Sequence, residues 1–284
     1  MGLRNRWTGF RSHSDQSSGR STVLFAITDM KTLSRPSPWL RTTAVKRSAV
    51  VRLFCFPHAG GDATTYSSWV EEMPGYVETC LVQLPGRGSR IQEPAYRNLE
   101  LLVAAMHEGL KEYLDKPWVL FGHSMGALIA FEWARLLRRL NLPHPAGLIV
   151  SGKRAPQLPQ RSRIIYDLPD AEFATELQKY NGTPQSVLED RELWSILMPI
   201  IRADFELVQT YAYRPAPPLE CSIDVFGGLQ DDHVSKEDLF AWKTQTTDSF
   251  SLRMFPGDHF FVDSSRKQLT AATAACVERI LQRM

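Results

Sequence analysis

The chain has 284 residues, of which 43% are hydrophobic and 23% are charged, a composition typical of a globular protein with one sizeable core. No run of about eighteen apolar residues occurs, which excludes a membrane-spanning helix at the level of sequence. The four cysteines, Cys55, Cys80, Cys221 and Cys276, lie far apart and show neither metal-ligand spacing nor a disulfide framework. This usage fits a reducing compartment, so we expect a cytoplasmic protein.

Residues 1–47 differ in composition from the rest of the chain. They hold seven Arg and two Lys against Asp15 and Asp29, a net charge of +7 within a total of +2. The segment is rich in Ser and Arg and has no sustained helix or strand period, so we expect a disordered basic leader. An organelle transit peptide is one alternative, and a start at Met30, with residues 1–29 not translated, is another.

Six apolar segments that favour strands follow in chain order, and their letters are VVRLFCF, ETCLVQL, WVLFG, GLIVSG, SIDVFGG and FSLRMFPG. Helical patterns lie between them, among them residues 99–113 and 127–140, and the chain closes with a helix over about 267–281. Strands that alternate with helices predict an α/β fold with a doubly wound, mostly parallel sheet.

The segment WVLFGHSMGALIAFEWARLL, residues 118–137, carries a Gly-x-Ser-x-Gly pattern centred on Ser124. A buried strand precedes the serine and a helix follows it, which is the context of a nucleophile elbow. Gly122 and Gly126 leave room for a strained turn that lifts the serine oxygen above the edge of the sheet. The sequence therefore predicts Ser124 as a catalytic nucleophile.

A serine nucleophile needs a histidine base, and in α/β hydrolases the chain order is Ser, acid, His. Only His144, His233 and His259 follow Ser124. No separate acid loop precedes His144, and His233 comes too soon after its nearest acids. His259, just beyond the last predicted strand, is therefore the expected base.

The expected acid is Asp231, in the loop after the penultimate predicted strand, and the adjacent Asp232 is its competitor. Asp258 neighbours His259 in the chain and points the wrong way along the backbone to orient that ring. For the oxyanion hole we expect the backbone amides of Met125, directly after the nucleophile, and of Ala59, in the loop after the first long strand. His58 is expected to brace that loop and not to act as a base.

Five ordered motifs, LFCFPHAGG, LPGRGSR, FGHSMGALIAFEWAR, PIIRADFELVQTY and PGDHFF, together resemble the type II thioesterases that accompany polyketide and nonribosomal peptide synthetases. The resemblance runs from about Trp39 to the C-terminus. It implies an α/β-hydrolase domain over residues 48–284 with a helical lid over about 156–217. It also implies a triad of Ser124, Asp231 and His259, in agreement with the chain-order argument. The sequence departs from the family at residue 127, where Ala replaces the Gly of many relatives, and in the leader, which has no family counterpart.

Chemically, the resemblance implies hydrolysis of acyl thioesters on the phosphopantetheine arm of a carrier domain, without a metal or cofactor. The expected role is the removal of stalled or aberrant acyl groups, and the expected partner is an acyl- or peptidyl-carrier domain, with no nucleic acid or membrane. Arg87 and Arg90 either hold the phosphate of the arm or brace their own loop. A medium-chain acyl-carrier thioesterase, an esterase for small esters and a non-catalytic acyl-carrier binding module remain alternatives.

Overall fold

The computed structural model describes residues 37–41, 46, 48–180, 182, 186 and 189–284. Within these residues the strands form a seven-stranded sheet in the order β1-β3-β2-β4-β5-β6-β7. All neighbours are parallel except β1 and β3, which pair antiparallel. The strands are β1 Leu40–Arg41, β2 Val51–Phe56, β3 Val77–Val82, β4 Trp118–His123, β5 Gly147–Ser151, β6 Ser222–Gly228 and β7 Phe250–Phe255.

Helices cover both faces of the sheet, which is why the central strands β2, β4, β5 and β6 are buried along their whole length. Two large hydrophobic clusters lie on opposite faces, one including Trp133 of a helix after β4 and the other including Leu269 near the C-terminus. The helices are α1 Trp69–Glu72, α2 Leu99–Leu110, α3 Met125–Arg139, α4 Asp170–Gln178, α5 Arg191–Gln209, α6 Lys236–Phe240, α7 Phe261–Ser264 and α8 Arg266–Leu281. The predicted α/β fold is confirmed, and no helix in the described part of the chain is long and apolar enough to cross a membrane.

All six predicted strands are present, and the structure adds β1, a two-residue strand at the edge of the sheet. Strand β1 lies inside residues 1–47, where the sequence predicts disorder, so residues 37–41 correct that expectation. Trp39 is buried against the core, and the Ser37 hydroxyl donates to the Gly109 carbonyl at 2.7 Å. Residues 1–36 lie outside the described residues, and the expectation for them stays a prediction.

Helices α4 and α5 belong to a segment inserted between β5 and β6, within the region 156–217 that the family resemblance assigns to a lid. Their inner faces share a small cluster of their own around Phe173, Leu177 and Ile201. Asp190 caps the first turn of α5, since its side chain accepts from the amides of Glu192 and Leu193 at 3.0 Å. The predicted helices are therefore present, and the movement of this segment as a lid stays a prediction.

The parallel arrangement brings the carboxyl ends of β2, β4, β6 and β7 to one edge of the sheet. In open α/β sheets, ligands bind at this edge because the loops that follow the strands converge there. The loops after these four strands carry Ala59, Ser124, Asp231 and His259. Sheet topology thus gathers residues that are up to 200 positions apart in the chain.

Candidate active site

Ser124 occupies the turn between β4 and α3 in a backbone conformation with φ 51° and ψ −111°. Such a positive φ is uncommon for a residue with a side chain and indicates local strain. The Ser124 amide donates to the Ser151 carbonyl of β5 at 2.8 Å, which fixes the turn against the neighbouring strand. The conformation is that of the predicted nucleophile elbow.

Gly122 and Gly126 allow the start of α3 to lie directly against the strands. A Cβ on Gly122 would come within 2.2 Å of the Gly126 backbone, and a Cβ on Gly126 would come within 2.1 Å of the Phe56 carbonyl oxygen in β2. No real Cβ tolerates such contacts. The two glycines are therefore required by the close approach of α3, and not only by the bend at Ser124.

The structure brings Ser124, His259 and Asp231 together in a line of two hydrogen bonds. His259 Nε2 lies 3.1 Å from Ser124 Oγ, and His259 Nδ1 lies 2.8 Å from Asp231 Oδ2. The His259 side chain is 7% exposed and that of Asp231 is 1% exposed. A hydroxyl, an imidazole and a carboxylate are thus arranged in an order that can activate a serine.

The Asp231 carboxylate is held on its other side by its own loop. Its Oδ1 accepts from the amides of His233 at 2.9 Å and Val234 at 3.2 Å. Gln230 connects this loop to the one that carries His259, because the Gln230 backbone N–H donates to the Gly257 carbonyl oxygen at 2.9 Å. The adjacent Asp232 is exposed, and the carboxylate that reaches His259 belongs to Asp231.

Ala59 and Met125, the expected oxyanion donors, line the same cavity as Ser124 and His259. Met125 is the first residue of α3, so its amide belongs to the first turn, which has no intrahelical acceptor. His58 Nδ1 lies 2.9 Å from the Ala59 carbonyl oxygen, and burial lowers the pKa of this imidazole. His58 thus contacts its own loop, as expected of a bracing residue.

The cavity beside Ser124 has a volume of about 560 Å³, within the range of small-molecule sites. One wall is apolar and comes from α4 and α5, through Leu177, Leu197, Ile201, Phe205 and Val208. The lining also includes Lys153, Arg154 and Arg161. Burial, with a smaller contribution from Arg154, lowers the pKa of Lys153 to about 8.

Arg87 and Arg90 are buried, and each pairs with an acidic side chain. The sequence left two roles for these arginines, namely binding the phosphate of the arm and bracing their own loop. Arg87 makes a two-pronged contact with Asp204 of α5 at 2.6 and 2.7 Å. Arg90 contacts Glu93 at 2.6 Å and lies over the Trp39 ring at 4.2 Å. These contacts favour loop bracing.

Asp204 is a feature of the site that sequence reasoning missed. It lies in the quoted motif PIIRADFELVQTY, but its contacts with Arg87 and with the Gly60 amide join residues more than 100 positions apart. No local pattern indicates such pairs. Within the described residues no cluster of three or more His, Cys, Asp or Glu could hold a metal ion.

Comparison with known proteins identifies the family of the chain. The family model described as a thioesterase domain matches residues 51–280. The gramicidin S biosynthesis protein GrsT of Aneurinibacillus migulanus is 42% identical over 240 residues, which cover 84% of this chain and 94% of that protein.

Solved thioesterase structures superpose on the chain over most of their length. The RedJ thioesterase from the prodiginine pathway of Streptomyces coelicolor gives a TM-score of 0.76 at 37% identity, covering 81% of this chain and 91% of that one. The type II thioesterase BorB from the borrelidin biosynthetic cluster gives 0.75 at 33% identity, covering 84% and 96%. The chain therefore belongs to the thioesterase domain family, and its relatives and structural neighbours include type II thioesterases of polyketide and nonribosomal peptide pathways.

Proposed function

We propose that the chain hydrolyses acyl thioesters through a catalytic triad of Ser124, His259 and Asp231. The observation that carries the proposal is the pair of hydrogen bonds, 3.1 Å from Ser124 Oγ to His259 Nε2 and 2.8 Å from His259 Nδ1 to Asp231 Oδ2, beside an open cavity. A serine hydroxyl alone is a poor nucleophile, and this arrangement supplies the base that activates it.

In the first half of the reaction, Ser124 Oγ attacks the thioester carbonyl carbon while His259 Nε2 takes the hydroxyl proton. Negative charge develops on the carbonyl oxygen, and the amides of Ala59 and Met125 donate hydrogen bonds to it. Asp231 stabilises the imidazolium and keeps the ring in one tautomer. The C–S bond then breaks, His259 returns its proton to the thiolate, and the thiol leaves.

In the second half, a water molecule attacks the acyl-serine ester. His259 takes a proton from the water as the C–O bond to the acyl carbon forms, and Ala59 and Met125 again stabilise the oxyanion. The bond to Ser124 Oγ breaks, and the proton on His259 returns to that oxygen. The products are a carboxylic acid and the free enzyme.

The substrate class that we propose is an acyl group carried on the phosphopantetheine arm of a carrier domain in a polyketide or nonribosomal peptide synthetase. The apolar wall formed by α4 and α5 suits an acyl chain, because burying its methylene groups is favourable by about 0.8 kcal/mol each. Similarity to proteins of gramicidin S, prodiginine and borrelidin biosynthesis supports a role beside such synthetases. Removal of stalled or aberrant acyl groups is the activity that we propose there.

The test compares hydrolysis of an acyl-carrier protein, the matching acyl-pantetheine and a small oxygen ester by the parent, Ser124→Ala and Ser162→Ala. Ser162 also lines the cavity and is the matched control. We expect loss of at least about a thousandfold in kcat for Ser124→Ala, normal folding of both variants, and little effect of Ser162→Ala.

The preferred substrate separates the alternatives. Faster turnover of the small ester identifies an esterase, and a strict preference for medium-chain acyl-carriers identifies a chain-terminating thioesterase. Absence of turnover together with absence of labelling by a fluorophosphonate identifies a non-catalytic binding module.

A further inference from the structure

Asp204 of α5 is a buried carboxylate whose two oxygens accept hydrogen bonds from Arg87 and from the Gly60 amide, and not from a triad residue. Its side chain is 2% exposed and that of its partner Arg87 is 5% exposed. Arg87 donates from Nη1 to Asp204 Oδ2 at 2.6 Å and from Nη2 to Oδ1 at 2.7 Å. The pair joins the inserted segment to the loop that follows β3.

The same carboxylate holds the loop that carries Ala59. The Gly60 amide donates to Asp204 Oδ2 at 2.7 Å, and Arg87 Nη1 donates to the Gly61 carbonyl oxygen at 3.3 Å. Helix α5 rests on this loop, since a Cβ on Gly60 would lie 3.1 Å from Ile201 Cγ1. Gly60 has φ 76°, a conformation that favours glycine.

These contacts hold the peptide group between Ala59 and Gly60 at both ends. Its carbonyl oxygen is 2.9 Å from His58 Nδ1, and its N–H donates to Asp204. A peptide group is planar, so two such contacts fix its orientation and restrain the Ala59 backbone next to it. An oxyanion donor must be held in place before charge develops, because its value depends on preorganisation.

We infer that Asp204 is a positioning residue. From helix α5 of the inserted segment, it holds in place the loop that carries Ala59, which we call the oxyanion loop. This inference rests on the proposed function, since it assigns a role to the Ala59 amide. Stability alone is a poor reason for this buried pair, because well-packed apolar side chains of similar volume are often as stable as a buried ion pair. The same contacts also make the geometry of the oxyanion hole depend on the position of α5 against this loop.

The experiment uses a double variant, Arg87→Met with Asp204→Leu, and the single variant Asp204→Asn. The double variant removes both buried charges and fills their volume with apolar atoms, so we expect it to fold with a melting temperature near that of the parent. Its Gly60 amide no longer has an acceptor. Glu206→Gln is the matched control, because Glu206 lies on the same helix and pairs with Arg97 away from the oxyanion loop.

We measure kcat and KM for an acyl-pantetheine thioester, with kcat expressed per active serine. The active serines are counted by exhaustive fluorophosphonate labelling. The third quantity is the affinity for an alkyl boronic acid. The boronic acid adds to the serine and places an oxygen in the oxyanion hole. We expect the double variant to lose about a hundredfold in kcat and in boronic acid affinity, with KM within threefold of the parent. We expect Asp204→Asn to lose at least about tenfold in kcat and Glu206→Gln to behave as the parent.

A merely structural pair would change the melting temperature or the fraction of active serines and leave kcat per active serine unchanged. The inference is therefore overturned if either Asp204 variant keeps kcat per active serine within threefold of the parent. Ser124→Ala separates this result from the proposed function. If Ser124→Ala is inactive while the Asp204 variants are fully active, only the positioning role is wrong, whereas an active Ser124→Ala overturns the triad itself.

Discussion

Ser124 keeps a backbone conformation that its own residue type disfavours. A residue with a side chain in a sparsely populated region costs about 1–3 kcal/mol, and the surrounding structure must impose it. Here the Ser124 amide is held by the Ser151 carbonyl at 2.8 Å, and the start of α3 is packed against the strands. The turn directs the hydroxyl toward His259, so the strained backbone aligns Ser124 Oγ with His259 Nε2.

The two neighbouring acids Asp231 and Asp232 give a sharp test of residue identity. Asp231→Asn keeps the shape of the side chain but presents an amide to the imidazole, which favours the wrong tautomer of His259. We expect kcat for thioester hydrolysis to fall by about a thousandfold or more, with the fold retained by circular dichroism. Asp232→Asn, at the exposed neighbour, is the matched control and should cost about tenfold at most.

A larger loss in Asp232→Asn than in Asp231→Asn would contradict this assignment. The two variants differ by one position in one loop, and both replace a carboxylate by its amide. Any difference in kcat therefore reports which carboxylate supports His259. The Asn side chain keeps an oxygen that can accept from the amides of His233 and Val234, so the loop should stay in place and the loss should fall on kcat.

The close approach of α3 to β2 and β4 decides whether the turn at Ser124 forms. Gly126→Ala would bring a methyl group within 2.1 Å of the Phe56 carbonyl oxygen, so α3 must move away from the sheet. We expect a loss of about 1–3 kcal/mol in the free energy of unfolding and a large loss of kcat, measured by urea denaturation and thioester hydrolysis. Helix propensity alone would predict the opposite sign for stability, since Ala is the better helix former.

Gly75→Ala is the control for that experiment, because nothing lies within 4 Å of a Cβ at this position. We expect its free energy of unfolding to stay within about 0.5 kcal/mol of the parent and its activity to be unchanged. Equal stability and activity in Gly126→Ala and Gly75→Ala would show that the close helix approach is not required.

The helices and long strands were predictable because each carries its own pattern. Five of the six long strands are mostly apolar, buried runs of five to seven residues, and the edge strand β7 shows an alternating pattern of more and less exposed positions. Helix α3 begins within two residues of the predicted position. Strand β1 was not predictable, since two residues have no period and its pairing with β3 is set by tertiary contacts. Asp204 and Gly60 are 144 positions apart, and no rule of local spacing links them.

The inserted segment contacts two of the four loops that the proposed chemistry uses. Asp204 of α5 holds the Gly60 amide, and Tyr180, just after α4, stacks on His233 of the acid loop with ring centroids 4.2 Å apart. The family resemblance implied a helical lid there but not which loops it would contact. Under the proposed function, these two contacts link the position of the inserted segment to catalysis as well as to substrate access.

The N-terminal region divides into two parts whose removal should affect stability differently. Residues 1–29 lack the apolar content to join a core, so their removal should leave the melting temperature and the activity unchanged. Removal of residues 1–41 also deletes β1 and the buried Trp39. We expect the second deletion to lower the melting temperature by about 10 °C, since a large core aromatic is worth about 3–5 kcal/mol.

Trp39→Ala in the full chain is the control for these deletions, measured by differential scanning calorimetry. It should reproduce most of the loss that follows removal of residues 1–41, because the ring lies beside Gly109 and under the Arg90 guanidinium. A marked loss of stability on removal of residues 1–29 would contradict the expectation that this part is dispensable.

Stability against acid is a property of the whole molecule that His123 should influence. This imidazole is buried between β4 and its neighbours, and its Nδ1 lies 3.0 Å from Ser151 Oγ. Burial is the largest cause that lowers the pKa of His123 well below its usual 6.5, and the nearby His259 and His58 add to the effect. The unfolded chain therefore binds a proton at this position before the folded protein does.

The sign of the effect follows from that difference in proton binding. Above pH 6.5, the usual pKa of histidine, neither state binds the proton and the stability is full, whereas below it the unfolded state is favoured progressively until the lowered pKa of the folded state is reached. We expect His123→Asn to reduce the slope of the unfolding free energy between pH 6.5 and 5 by up to about 1.4 kcal/mol per pH unit, measured by urea denaturation at several pH values. His144→Asn, at an exposed position, is the matched control. An unchanged slope in His123→Asn would mean that this histidine accepts its proton in the folded state, which its burial between the strands opposes.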